Sequence, residues 1–274
     1  MLPMSPDFVP ATGTLVFLGV FYAVLATVAV TLAVALFRSW RTLASGKAGH
    51  LLLEEQLSEL PGEARRCRHA LTGETPGRTC ARAFDCKGCE THARLLAAAE
   101  PSPGPVPVEV AGLALPDDRL HHRGHAWARP EPDGSVTVGL DDFGSRLVGT
   151  PDAVELPRVG STVLENGPAF RLRKGSARVR VASPVGGTVV ETGGPGRPFF
   201  LRVRPDAPFD GRSLLCGREA AAWLLGELDR LQLALSRSSG VPALADGGLP
   251  EKDLSAAIPE KDRDRVLAEL LLEG

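Results

Sequence analysis

Two neighbouring stretches decide the fold of this chain: HAWARPEPDGSVTVGLDDFGSRLVG, residues 125–149, and DAVELPRVGSTVLENGPAFRLRKGSARVRVASPVGGTVVETG, residues 152–193. Short aliphatic runs in them are separated by Gly, Pro and Asp, as in SVTVGL (135–140) and ARVRVAS (177–183). Apolar residues that alternate with polar ones and stop at turn-forming residues indicate β-strands. The sequence therefore predicts an all-β region.

A helix is predicted directly after the strands. Residues 217–237, GREAAAWLLGELDRLQLALSR, have apolar residues at helical spacing, so this helix should pack on the sheets. These residues are Ala221, Leu224, Leu225, Leu228 and Leu231. The β domain with its C-terminal helix then spans residues 117–237. Residues 238–274 are expected to form a flexible tail with a short, weakly held helix.

The motifs of the β region resemble the H protein of the glycine cleavage system. The His-x-Trp opening, the VTVGL strand, the VELPRVG turn and the SPVGGTVVE return strand follow one another in order, and PFFLRVRPDAP (198–208) is similar to the closing strand of that family. The resemblance implies a mainly β fold, the lipoyl-type barrel-sandwich hybrid, in which a hairpin presents a modified lysine.

The lysine of that family is missing here. It lies eight residues before the proline of the Ser-Pro-Val return strand, and counting back from Pro184 reaches Ser176. The acidic residue that the family has three positions earlier falls on Arg173. A serine hydroxyl is not the ε-amine that lipoylation requires, so lipoate is not expected. Lys174 is the alternative lipoyl site, because a slip of two residues keeps side chains on the same face of a strand.

The same hairpin is basic. Arg171, Arg173, Arg178 and Arg180 alternate with aliphatic residues, which predicts an exposed strand face. A second interpretation is a docking surface for an acidic partner or for anionic lipid headgroups.

A membrane anchor is predicted near the N-terminus. Residues 14–37 are 24 uncharged residues, and as a helix they span about 36 Å, enough for a hydrocarbon core of about 30 Å. A cleaved signal peptide is the alternative, but residues 1–13 lack its positive n-region. Arg38, Arg41 and Lys47 follow the helix, which predicts a single-pass protein of a bacterial-type cytoplasmic membrane, with residues 1–13 outside and the main domain in the cytoplasm.

Four cysteines follow a juxtamembrane helical segment (38–66). Within residues 67–92, Cys67, Cys80, Cys86 and Cys89 are spaced by 12, 5 and 2 intervening residues. The last pair has the spacing of a chelating knuckle, and four thiolates can bind zinc or an iron–sulfur cluster. His69 and His92 are possible substitutes for one thiolate. The alternative is a set of free or redox-cycling thiols in a poorly ordered linker.

No functional role is predicted for the other candidate residues. Residues 101–116 are rich in proline and predict a linker. Cys216 is expected to be a small packed residue. His121, His122 and His125 are expected to be structural or solvated.

Composition and motifs exclude several functions. A net charge of −2 and a pI near 6.3 give no reason to expect nucleic-acid binding. The sequence has no nucleophile elbow, P-loop or dinucleotide fingerprint, so an enzyme is not expected. The leading hypothesis is a membrane-anchored adaptor, or a redox- or metal-linked accessory, that binds an unidentified protein partner. The alternative is a working lipoate carrier that uses Lys174.

Overall fold

The computed structural model describes residues 12–44, 55, 60, 62–98, 109–194, 196–239 and 253–272. The chain divides into two compact units, residues 1–47 and 48–274. Residues 1–11 of the predicted extracytoplasmic segment, about half of the predicted juxtamembrane segment and residues 101–108 of the predicted linker lie outside the described residues.

The first unit contains helix α1, Thr12–Ala44. Within the described part of the chain it is the one helix that is long and apolar enough to cross a membrane, over Thr12–Arg41. A signal sequence near an N-terminus has the same length and composition. The helix extends beyond the predicted span 14–37, because residues 38–44 contain no Pro or Gly that would end it. Thr27 Oγ1 donates a hydrogen bond to the carbonyl of Ala23 at 2.8 Å, so this hydroxyl is satisfied on an apolar helix.

The second unit combines eleven short strands with five further α-helices among its described residues. The helices are α2 (Arg68–Leu71), α3 (Glu90–Ala98), α4 (Asp142–Val148), α5 (Gly217–Ser239) and α6 (Glu260–Leu271), of which α4 lies within the strand region. The strands are β1 (Glu109–Val110), β2 (Leu113–Ala114), β3 (Leu120–His121), β4 (Ala126–Pro130), β5 (Val136–Leu140), β6 (Ala153–Glu155), β7 (Thr162–Val163), β8 (Pro168–Lys174), β9 (Ala177–Ala182), β10 (Gly187–Thr192) and β11 (Leu201–Pro205).

Two antiparallel sheets enclose one hydrophobic core. The larger sheet has the order β3-β4-β5-β11-β10-β7, and the smaller has the order β6-β8-β9. Phe170 of the smaller sheet stacks on Phe200, next to β11 of the larger one, with ring centroids 4.4 Å apart. Leu172 and Val181 of the smaller sheet share the core with Val138 of the larger. This arrangement confirms the predicted mainly β, lipoyl-type sandwich, preceded by an apolar helix and followed by helices.

One glycine of the return strand is required by close packing. Gly187 begins β10 with a φ of +149°, and a Cβ there would lie 2.2 Å from the carbonyl oxygen of Arg204 on β11. Only glycine permits this approach of the two strands.

Helix α5 confirms the helix predicted for residues 217–237. Its Trp223, Leu224 and Leu231 are buried in the core that the sheets form, and Leu228 packs against this core. Leu225, which was predicted to lie on the packed face, faces outward instead, as does Leu233. This division is expected for one apolar stripe at a helical period.

Two sequence-based expectations about flanking segments differ from the structure. Residues 109–114, assigned to the linker 101–116, form the hairpin β1–β2, and Leu113 and Leu115 are buried in the core. The tail helix α6 is packed rather than weakly held, because Leu267 and Leu270 are fully buried. The prolines of residues 101–116 led to the prediction of a linker where the hairpin lies. The apolar stripe of α6 was too short to predict its burial from the sequence.

The histidines 121, 122 and 125 are buried and structural rather than solvated. The His125 ring lies between those of Phe143 and Trp223, with centroids 4.5 and 4.8 Å away. Its Nδ1 is 2.9 Å from Asp141 Oδ2, and its Nε2 is 3.8 Å from Glu227 Oε2. Burial opposes the charge of His125, but these two carboxylates raise its pKa to about 9. The cluster therefore ties β4, α4 and α5 together.

Candidate functional site

A short backbone pairing brings the first two cysteines together. Cys67 N donates to the carbonyl of Arg78 at 2.9 Å, and Cys80 N donates to the carbonyl of Arg65 at 2.7 Å, around an isolated bridge between Arg66 and Thr79. Cys67 and Cys80 thus lie on neighbouring, paired backbone segments, although twelve residues separate them in sequence.

A backbone turn joins the second pair, for which the sequence predicts a chelating knuckle. Cys89 N donates to the carbonyl of Cys86 at 3.3 Å, and α3 begins at the next residue, Glu90. Just before this turn, Ala83 and Phe84 adopt positive φ angles of 46° and 57°. This conformation is uncommon for residues other than glycine, and it folds the chain back before Cys86.

The cysteine segment is packed on the β domain. Lys87 Nζ lies 2.6 Å from Glu165 Oε1, and Arg68 Nε donates to Glu219 Oε2 at 3.0 Å on α5. Cys86 N donates to the hydroxyl of Ser213 at 3.2 Å. The cysteine segment is therefore packed on the β domain, contrary to the alternative of a poorly ordered linker.

All four clustered cysteines line one cavity of about 360 Å³. Its wall also contains Arg68, Arg123, Phe84 and Leu215, from both the cysteine segment and the β domain. The thiol of Cys67 is buried, and those of the other three are partly buried. Cys216, by contrast, is exposed and lies outside the cavity lining, so the expectation of a packed residue is wrong.

Two buried arginines face this cavity. The Arg123 guanidinium lies 4.2 Å from the ring centroid of Phe84 and donates to the carbonyl of Arg66 at 2.9 Å. Burial lowers its pKa to about 10, which leaves it cationic at neutral pH. Burial also raises the pKa of the Cys86 thiol, although Arg68 acts in the opposite direction. The sequence analysis missed both arginines, and the only signal was their position beside Cys67 and within the HHRGH run.

The two histidines proposed as substitute ligands contact each other instead. His69 Nε2 lies 2.9 Å from His92 Nδ1, and His69 Nδ1 contacts Glu74. Both ring nitrogens of His69 therefore have partners, and only Nε2 of His92 is left for another contact. Burial, with Arg68 nearby, lowers the pKa of His92 to about 4.

The four cysteines are not arranged around a single ion. Within the part of the chain that the structure describes, no group of three His, Cys, Asp or Glu side chains is close enough to hold one metal ion. The predicted ligand set is thus gathered at one cavity without the compact geometry of a mononuclear centre.

The hairpin β8–β9 contains the family's lipoyl position. Lys174 pairs with Ala177, which leaves Gly175 and Ser176 as a two-residue turn, with Gly175 at a φ of +60°. Both turn residues are exposed. Lys174 Nζ donates to the carbonyl of Thr150 at 2.7 Å, so its ammonium group is held back against the protein.

Helix α6 lies along this hairpin. The backbone N–H of Arg178 donates to Asp264 Oδ1 at 3.4 Å, and a Cβ on Gly175 would lie 3.0 Å from Arg263 Nη1. Strand β9 is an edge of its sheet, and α6 covers that edge. A swinging cofactor arm needs a free turn, and here one side of the turn is occupied.

The residues present do not fit lipoate. The family position holds Ser176, and the nearest amine, on Lys174, precedes the turn and is already hydrogen-bonded. Arg173 stands where the family has an acidic residue.

The outer face of the hairpin is strongly cationic. Arg171 lies opposite Arg180, and Arg173 lies opposite Arg178, and all four side chains are exposed. The predicted alternation of buried aliphatic and exposed basic residues is confirmed. Like charges directly opposite each other destabilise a strand pair, so this face is not optimised for stability alone.

The two sheets and their hairpin define a lipoyl-type β domain, and the comparisons with known proteins agree. The family model "Glycine cleavage H-protein" matches residues 119–194. The H protein of Stenotrophomonas maltophilia is 42% identical over 97 residues, which cover 35% of this chain and 74% of that protein. The chain belongs to the glycine cleavage H-protein family.

The residues that the family model matches lie within the β domain. The H protein of Xanthomonas euvesicatoria is 46% identical over 77 residues, 28% of this chain and 59% of that protein, so the chain spans about three-fifths of such relatives. A crystal structure of the H protein of Mycobacterium marinum is 26% identical, covers 39% of this chain and 96% of that chain, and has a TM-score of 0.34. The region that the family model matches does not include α1 or the cysteine segment.

Proposed function

We propose that this protein is a non-catalytic adaptor that α1 anchors in the cytoplasmic membrane, and that its H-protein-like domain binds an acidic protein partner through the arginine face of β8 and β9. The observation that carries the proposal is the hairpin turn, which has Ser176 at the lipoyl position and is flanked by α6. The basic residues after α1 support a cytoplasmic location of the main domain.

The arginine face favours an extended acidic segment as the ligand. Residues on one face of a strand repeat every second position, about 6.6 Å apart at a rise of about 3.3 Å per residue, and neighbouring strands lie about 4.8 Å apart. Arg171, Arg173, Arg178 and Arg180 thus form a grid of guanidinium groups. Arginine binds carboxylates in a bidentate manner, so carboxylates at alternate positions of an acidic strand fit this grid.

Intact-mass analysis tests the loss of the carrier function. The full chain in detergent is produced together with a lipoate ligase and lipoate, beside a glycine cleavage H protein that has the family lysine as the positive control. We expect the positive control to gain one lipoyl group and the wild-type chain to gain none. A lipoyl group on Lys174 would overturn the proposal and favour the carrier function.

Peptide binding tests the arginine face. The probe is a fluorescently labelled poly-glutamate peptide, titrated with the full chain in detergent and followed by anisotropy. We expect Arg171→Ser/Arg173→Ser to weaken binding about tenfold, equal to about 1.4 kcal/mol. Arg218→Ser is the matched control, because Arg218 is exposed on α5 outside this face. Equal affinities for the double variant and the control would contradict the assignment of this face.

A further inference from the structure

The strongest unexplained feature outside the hairpin is the cavity bounded by Cys67, Cys80, Cys86 and Cys89. Two independent local structures, the Arg66–Thr79 bridge and the Cys86–Cys89 turn, bring these residues to one place. Packing of apolar residues would not require four thiols at one wall, and the adaptor function does not use them.

The size of the cavity favours a polynuclear centre over one ion. Four thiolates bound to one zinc at about 2.3 Å lie within about 4 Å of each other. The described residues contain no such compact group, and the cavity measures about 360 Å³. A cluster in which each cysteine binds a different iron needs its sulfurs farther apart.

The charges around the cavity favour an anionic occupant. Arg68 and Arg123 are both buried and both belong to its wall. Arg68 also contacts Glu219, whereas Arg123 has a backbone carbonyl and the Phe84 ring as its contacts. The carboxylate of Glu227 acts on Arg123 but is also ion-paired with Arg230. A buried cation is costly unless an anion lies close to it. A tetrathiolate centre with a charge of −2 supplies that anion.

We propose that these four cysteines bind a [4Fe–4S] cluster in this cavity. The four thiols lose their protons to solvent, and four S–Fe bonds form, one to each iron of a [4Fe–4S]²⁺ core. The centre then has a net charge of −2 and lies beside two buried cations, Arg123 and the Glu219-paired Arg68. Phe84 and Leu215 provide an apolar wall that restricts access of water.

Metal analysis of the full chain, purified in detergent without oxygen, tests the proposal. We expect about four iron atoms and about four sulfide ions per chain, as in a cluster with four cysteine ligands. Dithionite should deliver one electron to give [4Fe–4S]⁺, which is paramagnetic and visible by electron paramagnetic resonance. Chain stripped with a chelator should regain the same spectrum when it is incubated with sulfide and with ferrous and ferric iron in equal amounts, which together supply the two ferrous and two ferric ions of the [4Fe–4S]²⁺ core.

Variants separate cluster binding from a general loss of folding. Cys86→Ser/Cys89→Ser should lose the iron and sulfide, and each of Cys67→Ser and Cys80→Ser should lose most of both. Cys216→Ser is the matched control and should retain them, because Cys216 is exposed and lies outside the cavity lining. Circular dichroism of each variant shows whether the β domain is still folded.

Three results would overturn the proposal, and they depend on the wild-type chain alone. One zinc per chain with no sulfide would identify a mononuclear site. About two irons with about two sulfides would identify a [2Fe–2S] cluster. Failure to bind iron after anaerobic reconstitution would leave the four thiols without a cluster. None of these results bears on the lipoylation test of the adaptor function.

Discussion

The hairpin turn and the cysteine cavity of this protein differ in their reactive groups: the turn has lost the family's amine, whereas the cavity is lined by four thiols. At the turn, the family's amine is replaced by the hydroxyl of Ser176, and α6 lies alongside. At the cavity, four thiols are brought together beside two buried arginines. One β domain contains the hairpin and contributes one wall of the cavity.

The comparison shows that a family fold does not fix where chemistry occurs. The strands of the H-protein family position the turn, yet the turn itself lacks the residue that the cofactor requires. The cavity depends on residues 62–98, which precede the region that the family model matches. Substitutions that alter only one of the two regions test this difference.

The largest effect is expected from Leu270→Ala, which loosens α6 beside the hairpin. Leu270 is fully buried in the main core, so the substitution should lower the free energy of unfolding by about 2–5 kcal/mol. Denaturant unfolding of the full chain in detergent measures it. Leu233→Ala is the control, because Leu233 is 60% exposed and its loss should change stability by less than about 0.5 kcal/mol. Equal effects of the two substitutions would mean that α6 does not cover the hairpin.

The buried histidine of the β domain should make stability fall at alkaline pH. The pKa of His125 is raised to about 9 by Asp141 and Glu227, against the effect of burial, from the ordinary value of 6.5. This contribution is fully present below pH 6.5 and is lost as the pH rises through 9. At about 1.4 kcal/mol per pKa unit it amounts to about 3–4 kcal/mol.

Unfolding at a series of pH values between 6.5 and 10 checks this expectation. His125→Gln should flatten the alkaline decrease. On the acid side, His92 and His122 have pKa values lowered to about 4, chiefly by burial, so stability should also fall from pH 6.5 towards 4. A stability that does not change between pH 6.5 and 10 would contradict the charged state of His125.

A smaller loss is expected from Arg123→Met at the cavity. The substitution removes a hydrogen bond from a charged donor to the carbonyl of Arg66 and the contact with Phe84. We expect a loss of about 1.5–3 kcal/mol and a lower iron content after reconstitution. Arg123→Lys keeps the positive charge and should retain more iron. If Arg123→Met retains as much iron as Arg123→Lys, the charge of this residue does not support the centre.

The smallest effect is expected from Arg173→Glu on the hairpin. The new carboxylate would lie opposite Arg178 and convert a like-charge pair into an opposite-charge pair. Stability should rise by about 0.2–1 kcal/mol, while binding of the poly-glutamate peptide weakens. Thermal unfolding and anisotropy measure the two changes, with Arg218→Glu as the charge control. Weaker stability together with unchanged binding would show that the arginine face has a structural role.

The sequence predicted the β domain well because its signals are local. Alternating residues in ARVRVAS and the order of the family motifs predicted the strands, and the spacing of leucines predicted α5. The packing of α6 and of β1–β2 could not be read in the same way. Their apolar residues are few, and only tertiary contacts with the core show that they are buried.

The candidate sites were predicted only in part for the same physical reason. The four cysteines could be named from their spacing, and Ser176 from the motif count. Arg68 and Arg123 could not, because a basic residue in a polar sequence gives no sign that it will be buried. The interaction of His69 with His92 joins residues 23 positions apart, a distance at which no local pattern operates.

Native mass spectrometry tests the contrast between hairpin and cavity most directly. The full chain is produced with a lipoate ligase and lipoate, purified in detergent without oxygen, and measured both with its non-covalent contents retained and after denaturation. We expect no lipoyl group on the denatured chain, and the mass of a [4Fe–4S] cluster on the native one. A lipoyl group on a chain that binds no cluster would contradict both assignments.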